Sequence, residues 1–317
     1  MLVFPENYFK EEVRSDFTIS STMKRAWAAQ LEVLVRIIDI CDKYHIQYHA
    51  AWGTLLGTIR HRGFIPWDDD IDIEMKRNDY IRFLKAAPPE LPAEYCILNP
   101  YTEENWKEPF TRITNGRSID ISPKRLEQFH NCPFVVGIDI FPLDNVPDNP
   151  EDAKYQMELL NLIDTVKTLL KGNENLGSIP GGTEIMPQCE AAFQDGLDTL
   201  EAYTGVRIEQ TNNKRNQLNR LYDKICMMSD REDSRFLTLL PWYQSHPDYL
   251  LKREWLSETT LMPFENIQIA VPKAYDAILR RCYGDYMIPV KCQADHDYPF
   301  YKQQLQTLQE RGMWKEF

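Results

Sequence analysis

The chain has 317 residues, of which 43% are hydrophobic and 26% charged, as in an ordinary globular protein. Its formal net charge of −12 argues against a broad nucleic-acid-binding surface, so we expect no nucleic-acid partner. Its seven cysteines include no Cys-x-x-Cys pair, which favours reduced thiols over a disulfide framework or a zinc site. No signal peptide and no apolar run long enough to span a bilayer are visible, so we expect a cytoplasmic protein with at most peripheral membrane contact.

Helical and strand patterns alternate in the first half of the chain. After a predicted N-terminal tail at 1–19, the spacing of apolar residues predicts helices at 20–44 and 55–60 and strands at 46–52, 70–75, 95–98, 110–113 and 134–141. This alternation is typical of an α/β fold.

The second half of the chain has a mainly helical pattern. It also contains an exposed loop at 173–188, rich in Gly and Pro, and a hairpin with strands at 259–264 and 267–271. Because no linker cleanly divides the chain, we predict one domain over 20–317, made of an α/β core at about 20–150 and a mainly helical part at about 151–317.

An acidic run at 68–72 is the strongest functional signal. Asp70 and Asp72 alternate with isoleucines on the predicted strand, so their carboxylates share one face, about 7 Å apart at the backbone. They could converge on one hard cation, or on two cations about 4 Å apart. Asp139, a lone acid in the apolar stretch FVVGIDIF, is the candidate third ligand. The alternative for the Asp-x-Asp pair is a solvated strand face.

Two groups near the acidic run are candidates for binding phosphate. Gly53 and Thr54 close a predicted strand before a short helix, where a small residue lets phosphate approach backbone N–H groups. Arg60, His61 and Arg62 follow and could clamp phosphate oxygens. The alternative for Gly53 and Thr54 is an ordinary turn. The alternative for the three basic residues is a solvent-facing loop whose positive charge balances the aspartates.

Four further residues are candidates with equally plausible structural roles. Trp67 could stack on a base or ligand, or pack the loop corner. Arg112 could reach a phosphate, or form an ordinary surface pair. Asp68 and Asp69 are candidates to cap or brace the loop.

The stretch WGTLLGTIRHRGFIPWDDDIDIEM, Trp52–Met75, resembles the signature of the LicD family, which includes fukutin-related proteins. Gly137–Asp144 and Met262–Met287 resemble the family's second and C-terminal motifs. The ending DHDYPF matches the family's His-containing ending only loosely, which leaves His296 a weak candidate. The resemblance implies a nucleotidyltransferase-like fold with a mixed sheet, and it places the family's metal-binding carboxylates on Asp70, Asp72 and Asp139.

The function that the resemblance implies is phospho-alcohol transfer. A group such as phosphocholine would pass from its CDP-activated form to a hydroxyl of a sugar or lipid-linked glycan, with Mg²⁺ or Mn²⁺ as cofactor and CMP as the product. Asp139 or a neighbouring acid would help to take the hydroxyl proton. One alternative is a nucleotidyltransferase that attacks the α-phosphorus and releases pyrophosphate. Others are a non-catalytic partner in surface-polymer assembly and, with less support, a glycosyltransferase.

Overall fold

The computed structural model of the chain describes residues 1–176, 186–211, 213–231, 233–243, 246–290 and 298–314. His296 lies outside these ranges, as does most of the predicted loop at 173–188. Helices extend into both ends of that loop, since one ends at Leu176 and the next begins at Met186. No helix within the described ranges combines the length and apolar composition needed to cross a membrane.

The chain folds into two compact units. The first comprises Met1–Ile97, Phe110–Leu143 and Leu251–Phe317, and the second comprises Leu98–Pro109 and Asp144–Leu250. The residues after 250 therefore rejoin the first unit, a return that the sequence did not indicate. A single domain over 20–317 stays a prediction.

The first unit begins with a hairpin and a long helix. Residues 1–19, predicted as a tail, contain the antiparallel strands β1 (Glu12–Arg14) and β2 (Phe17–Ile19). Helix α1 (Ser21–Tyr44) starts where Ser20 caps it, since its hydroxyl accepts the Met23 N–H at 3.1 Å. Most of the apolar face of α1 is buried, and the prediction of a helix at 20–44 is confirmed.

A mixed sheet forms the core of the first unit, which confirms the predicted α/β class. The elements after α1 are β3 (His49–Ala50), α2 (Trp52–His61), β4 (Asp72–Lys76), α3 (Arg77–Glu90), β5 (Cys96–Leu98), β6 (Thr111–Thr114), α4 (Pro123–Gln128) and β7 (Gly137–Val146). Their strand order is β3-β4-β7-β6-β5. Strand β4 runs parallel to β7, whereas β3 is antiparallel to β4 and β6 is antiparallel to β7.

Strand β4 begins two residues later than predicted. Asp70 and Ile71 precede it, although the Ile71 carbonyl still accepts the Asp139 N–H at 3.1 Å. Side chains rather than strand neighbours hold the preceding loop, because Gln30 donates to the Asp69 carbonyl at 2.7 Å. Asp70 therefore lies at the end of a loop, and its direction does not follow from strand alternation.

The C-terminal part of the first unit contains a second hairpin. The elements of this C-terminal part are β9 (Leu251–Lys252), β10 (Thr259–Phe264), β11 (Ile267–Pro272), α8 (Tyr275–Tyr283) and α9 (Lys302–Glu310). The antiparallel pairing of β10 with β11 confirms the predicted hairpin. Glu265 lies in its turn with a φ of 50°.

The second unit is mainly helical. Its helices are α5 (Pro150–Leu176), α6 (Met186–Thr204) and α7 (Lys214–Cys226), and a short strand, β8 (Phe236–Thr238), pairs antiparallel with the end of β7. The helices enclose an apolar core that includes Ile163, Val166, Leu200 and Leu218.

Candidate active site

The first turn of α2 is tied to the beginning of β4. The predicted strand at 46–52 is limited to His49–Ala50, so Gly53 and Thr54 lie inside the helix rather than at a strand end. The buried Thr54 hydroxyl accepts the Asp72 N–H at 2.8 Å, and the Ala51 N–H donates to the Asp72 carbonyl at 3.0 Å. Thr54 thereby fixes the position of Asp72, and its role in binding phosphate stays a prediction.

Gly53 allows a carboxylate to lie against the N-terminal turn of α2. A Cβ at this position would come within 2.5 Å of Asp68 Oδ2. The first N–H groups of a helix and its dipole favour a negative charge at this end. The absence of a side chain at Gly53 therefore gives the Asp68 carboxylate room to lie at this position.

We expect Gly53→Ala to impair activity with little effect on folding. Alanine stabilises a helix over glycine by about 0.5–1 kcal/mol, which offsets part of the contact with Asp68. The displaced carboxylate should weaken the rise in melting temperature that we expect Mg²⁺ to produce. Gly57→Ala is the control, because its Cβ would meet the Gly63 backbone carbonyl at 2.5 Å and should destabilise the fold itself. An unchanged response to Mg²⁺ in Gly53→Ala would contradict the argument.

Three consecutive carboxylates form a compact group at the end of the loop. Asp68, Asp69 and Asp70 each offer an oxygen within 4.8 Å of the others. Within the part of the chain described here, no other trio of potential metal ligands is this compact, and that includes the predicted trio of Asp70, Asp72 and Asp139. Asp69 is fully buried and its Oδ2 accepts the Phe300 N–H at 2.6 Å, so its carboxylate also anchors the segment before α9. This contact supports the predicted bracing role of Asp69.

Asp72, Asp139 and Arg112 form a row across three strands. Asp72 pairs in register with Asp139 on the parallel neighbour, and Asp139 pairs with Arg112 on the other side. Side chains of paired residues share a face about 4.8 Å apart. The predicted adjacency of Asp72 and Asp139 is therefore confirmed, while their roles as metal ligands stay predictions.

Arg112 binds Asp139 through two parallel hydrogen bonds. Its Nε donates to Oδ1 at 2.5 Å and its Nη2 to Oδ2 at 2.6 Å. Burial lowers the pKa of the guanidinium, but the hydrogen bonds and charge of Asp139, together with the charges of Asp72 and Asp70, outweigh burial and raise it. The positive charge of Arg112 thus offsets part of the negative charge of Asp139, Asp72 and Asp70, in addition to any contact with phosphate.

Asp70 lies where its negative charge is unfavourable. Burial raises the pKa of Asp70 well above its ordinary value, and so do four neighbouring carboxylates: Asp72, Asp68, Asp69 and Asp139. A bound cation would remove this penalty. The donors are all carboxylate oxygens, which are the ligands that Mg²⁺ and Mn²⁺ prefer, so the residues present fit the predicted metal.

The basic residues lie at the opposite end of α2 from Gly53. Arg60 donates from Nε to His61 Nε2 at 2.9 Å and from Nη1 to the Tyr286 carbonyl at 2.9 Å. Burial, and then the charge of Arg60, lower the pKa of His61 to about 4, so this imidazole is neutral at pH 7. Arg62 is exposed and ends the helix in a left-handed conformation. At 1.5 Å per residue, Arg60 is about 10 Å from Gly53 along the helix.

Sequence reasoning missed Glu265, which fixes the loop between α2 and β4. Its N–H donates to the Arg62 carbonyl at 2.8 Å, and its Oε1 accepts the Phe64 N–H at 3.3 Å. Arg14 of the N-terminal hairpin binds the same carboxylate at 2.8 Å. The only signal was the hairpin turn in which Glu265 lies, and a turn does not reveal a partner 200 residues away.

Comparisons with known proteins show similarity to one domain family and to one relative over most of the chain. Residues 45–149 match the model of the LicD/FKTN/FKRP nucleotidyltransferase domain. The chain is 27% identical to the lipopolysaccharide cholinephosphotransferase LicD of Haemophilus influenzae over 280 residues, covering 84% of this chain and 91% of the relative. Uncharacterized proteins of Rickettsia typhi and Rickettsia prowazekii are 44% and 42% identical over 50 residues, which is 16% of this chain and 16% and 19% of theirs.

The mixed sheet, with paired aspartates on β4 and β7, and the matched domain define a nucleotidyltransferase-like protein. The three sequence motifs, the domain match and the similarity over most of the Haemophilus influenzae protein together lead to a more specific conclusion. Residues 45–149 match a LicD/FKTN/FKRP domain, and the chain is similar to the lipopolysaccharide cholinephosphotransferase LicD over most of its length, which supports the LicD family.

Proposed function

We propose that the chain is a transferase that moves a substituted phosphate, such as phosphocholine, from a CDP-activated alcohol to a hydroxyl of a glycan or glycolipid. The observation that carries the proposal is the row of Asp72 and Asp139 beside Asp70, whose ionised form is costly without a cation. The name of the Haemophilus influenzae relative supports both the transferred group and a lipopolysaccharide-like acceptor.

Asp70, Asp72 and Asp139 would hold Mg²⁺ or Mn²⁺, which when bound supplies neutralising charge to the diphosphate of the donor. Thr54 would keep Asp72 in place, and Gly53 leaves room for the Asp68 carboxylate against the N-terminal turn of α2. The acidic residues and their cation would position the donor for in-line attack, which is the main source of catalysis in phosphoryl transfer.

The reaction breaks one bond and forms one. The acceptor oxygen attacks the phosphorus farther from cytidine, and the bond from that phosphorus to the bridging oxygen breaks, so that CMP leaves. Asp139 or a neighbouring carboxylate takes the acceptor's proton. Arg112 holds Asp139 through both carboxylate oxygens and adds a positive charge beside the transferred group.

The released product tests the proposal. Purified protein is incubated with Mg²⁺, a lipopolysaccharide acceptor and either a CDP-alcohol or CTP with the free alcohol. We expect CMP from the CDP-alcohol, in step with phosphate incorporation into the acceptor, and loss of both with EDTA. Pyrophosphate from CTP would instead indicate attack at the α-phosphorus. Absence of binding to every CDP-alcohol would overturn the proposal in favour of a non-catalytic role.

A further inference from the structure

Residues 62–70, which we term the acidic loop, are held at their beginning by Glu265 of the C-terminal hairpin. The Glu265 N–H donates to the Arg62 carbonyl at 2.8 Å, and its Oε1 accepts the Phe64 N–H at 3.3 Å. A Cβ at Gly63 would come within 2.8 Å of Glu265 Cδ, so this carboxyl group lies directly against the backbone of the loop. The Glu265 side chain is only 5% exposed.

The acidic loop is held at its other end by α1. Trp27 donates from its indole Nε1 to the Asp68 carbonyl at 3.2 Å, and Gln30 donates to the Asp69 carbonyl at 2.7 Å. Phe64 connects the two ends, because its ring stacks on Trp27 with the centroids 4.5 Å apart and the planes 1° apart. A displacement of Phe64 would therefore disturb the side chain that binds the backbone of Asp68.

Arg14 of the N-terminal hairpin supplies the opposite charge for the buried Glu265. Its Nη1 donates to Oε1 at 2.8 Å and its Nη2 to Oε2 at 3.4 Å. Its guanidinium carbon also lies 5.8 Å from the centroid of the Trp27 ring, which is within the range of a cation–π contact. Because a buried carboxylate is unfavourable without a cationic partner, Arg14 allows Glu265 to stay against the loop.

The N-terminal hairpin contacts the acidic loop a second time through Phe17 of β2. The ring centroids of Phe17 and Trp67 are 6.3 Å apart with the planes at 64°, and those of Phe17 and Tyr298 are 6.1 Å apart with the planes at 78°. This packing is the structural role that the sequence left open for Trp67, whose stacking on a base stays a prediction. The hairpin thus contacts the loop through a ring as well as through an ion pair.

We propose that Arg14 and Glu265 are positioning residues that set the affinity of the acidic loop for a divalent cation. The inference rests on the proposed function, in which Asp70 of this loop is a metal ligand. A cation binds best to ligands that are already held in place, whereas a loop released from Glu265 must be ordered again on binding. Strand β1, predicted as part of a tail, would thereby contribute to the metal site.

The direction of the effect distinguishes positioning from simple electrostatics. If charge alone mattered, removal of the positive charge of Arg14 would strengthen the binding of a cation, because like charges repel. A positioning role predicts the opposite, since loss of Arg14 leaves Glu265 without its partner and releases the loop. Arg14→Gln should therefore weaken cation binding, as should Glu265→Gln.

Titration of the purified protein with Mn²⁺ measures this affinity directly. Free Mn²⁺ is followed by electron paramagnetic resonance, at a temperature well below the melting temperature of each variant. We expect the dissociation constant to rise about 10-fold in Arg14→Gln and in Glu265→Gln, which corresponds to the loss of one charged hydrogen-bonded contact. The double variant should be little weaker than either single one, because both break the same pair. Arg14→Lys keeps the charge and should retain most of the affinity.

Two further variants separate position from charge. Gly63→Ala leaves every charge in place, but its Cβ would displace the Glu265 carboxyl group, so it should also weaken Mn²⁺ binding. Glu258 and Lys273 form an ion pair at 2.6 Å at the other end of the same hairpin, with side chains 68% and 58% exposed. Glu258→Gln is therefore the matched control and should leave the dissociation constant unchanged.

The outcomes separate this inference from the proposed function. Tighter or unchanged Mn²⁺ binding in Arg14→Gln would overturn the positioning role, even if its melting temperature falls, while the transferase proposal would stand. If Arg14→Gln does not fold, Gly63→Ala decides, and an unchanged dissociation constant in that variant would overturn the inference. Failure of the unmodified protein to bind Mn²⁺ would overturn both the inference and the metal site of the proposed function.

Discussion

Asp70→Asn is expected to reduce CMP release from a CDP-alcohol by about 1,000-fold or more and to raise the melting temperature of the metal-free protein. The loss of activity follows because a metal ligand contributes several kcal/mol to transition-state stabilisation. The gain in stability follows because burial and four neighbouring carboxylates disfavour the charged form of Asp70. Asparagine keeps the shape of the side chain and removes the charge. Thermal unfolding in EDTA and in Mg²⁺, beside a CMP assay, would measure both effects.

The response to Mg²⁺ provides the internal check on Asp70→Asn. A ligand that binds the folded state raises the melting temperature, so the unmodified protein should gain stability with Mg²⁺ and the variant should gain much less. Asp42→Asn removes an exposed acid of α1 and should leave the Mg²⁺ response and the rate unchanged. Retained CMP release, or a lower melting temperature of Asp70→Asn in EDTA, would contradict the assignment.

Arg112→Gln is expected to destabilise the metal-free protein and to slow the reaction. The substitution removes both hydrogen bonds to Asp139, whose side chain is only 12% exposed and lies in register with Asp72. Loss of such a charged partner should lower the free energy of unfolding by about 1–3 kcal/mol. Added Mg²⁺ should restore more stability to this variant than to the unmodified protein, because the cation then replaces the missing positive charge.

A surface arginine provides the matched control for Arg112. Arg82 also binds an aspartate, Asp79, at 2.7 Å, but through one hydrogen bond to a residue three positions away on α3; its side chain is 51% exposed, against 42% for Arg112. Arg82→Gln should therefore change stability by less than about 1 kcal/mol. Arg112→Gln could instead raise KM for the donor without lowering the free energy of unfolding in EDTA. That outcome would show that Arg112 acts on the phosphate alone and does not offset the negative charge of the neighbouring aspartates.

The coupling between Arg112 and Asp139 can be measured directly. In a double-mutant cycle with Arg112→Gln and Asp139→Asn, the second substitution should cost little once the first is present, because the pair is already broken. Denaturant unfolding in EDTA would provide the four free energies. Additive costs would show that the two side chains do not stabilise each other.

Local patterns predicted the elements that depend on short-range chemistry. Apolar spacing and the cap at Ser20 marked α1, because a helix buries one face every three to four residues and leaves N–H groups to be capped. Asp139 was predicted as a site residue because a lone carboxylate in an apolar strand is unfavourable without a partner or a function. In the structure it pairs in register with Asp72. The C-terminal hairpin was also predicted correctly.

Element boundaries were less predictable near the acidic run. Alternation favoured a strand from Asp70, but the loop before it is held by Gln30 and Phe300, so the strand starts at Asp72. Likewise, the predicted strand at 46–52 stops earlier and α2 begins at Trp52. Ala51 and Thr54 form hydrogen bonds to the backbone of Asp72 instead of closing that strand. These bonds join residues that no local pattern relates.

The sequence by itself determined the acidic run, its lone partner at Asp139, the α/β class and the family resemblance, because these depend on residue type and short spacing. Only the tertiary structure decided that Arg112 binds Asp139, that Asp69 anchors Phe300 and that Phe17, Trp67 and Tyr298 meet beside Asp68. The physical reason is that strand register and the packing of distant segments place these side chains together.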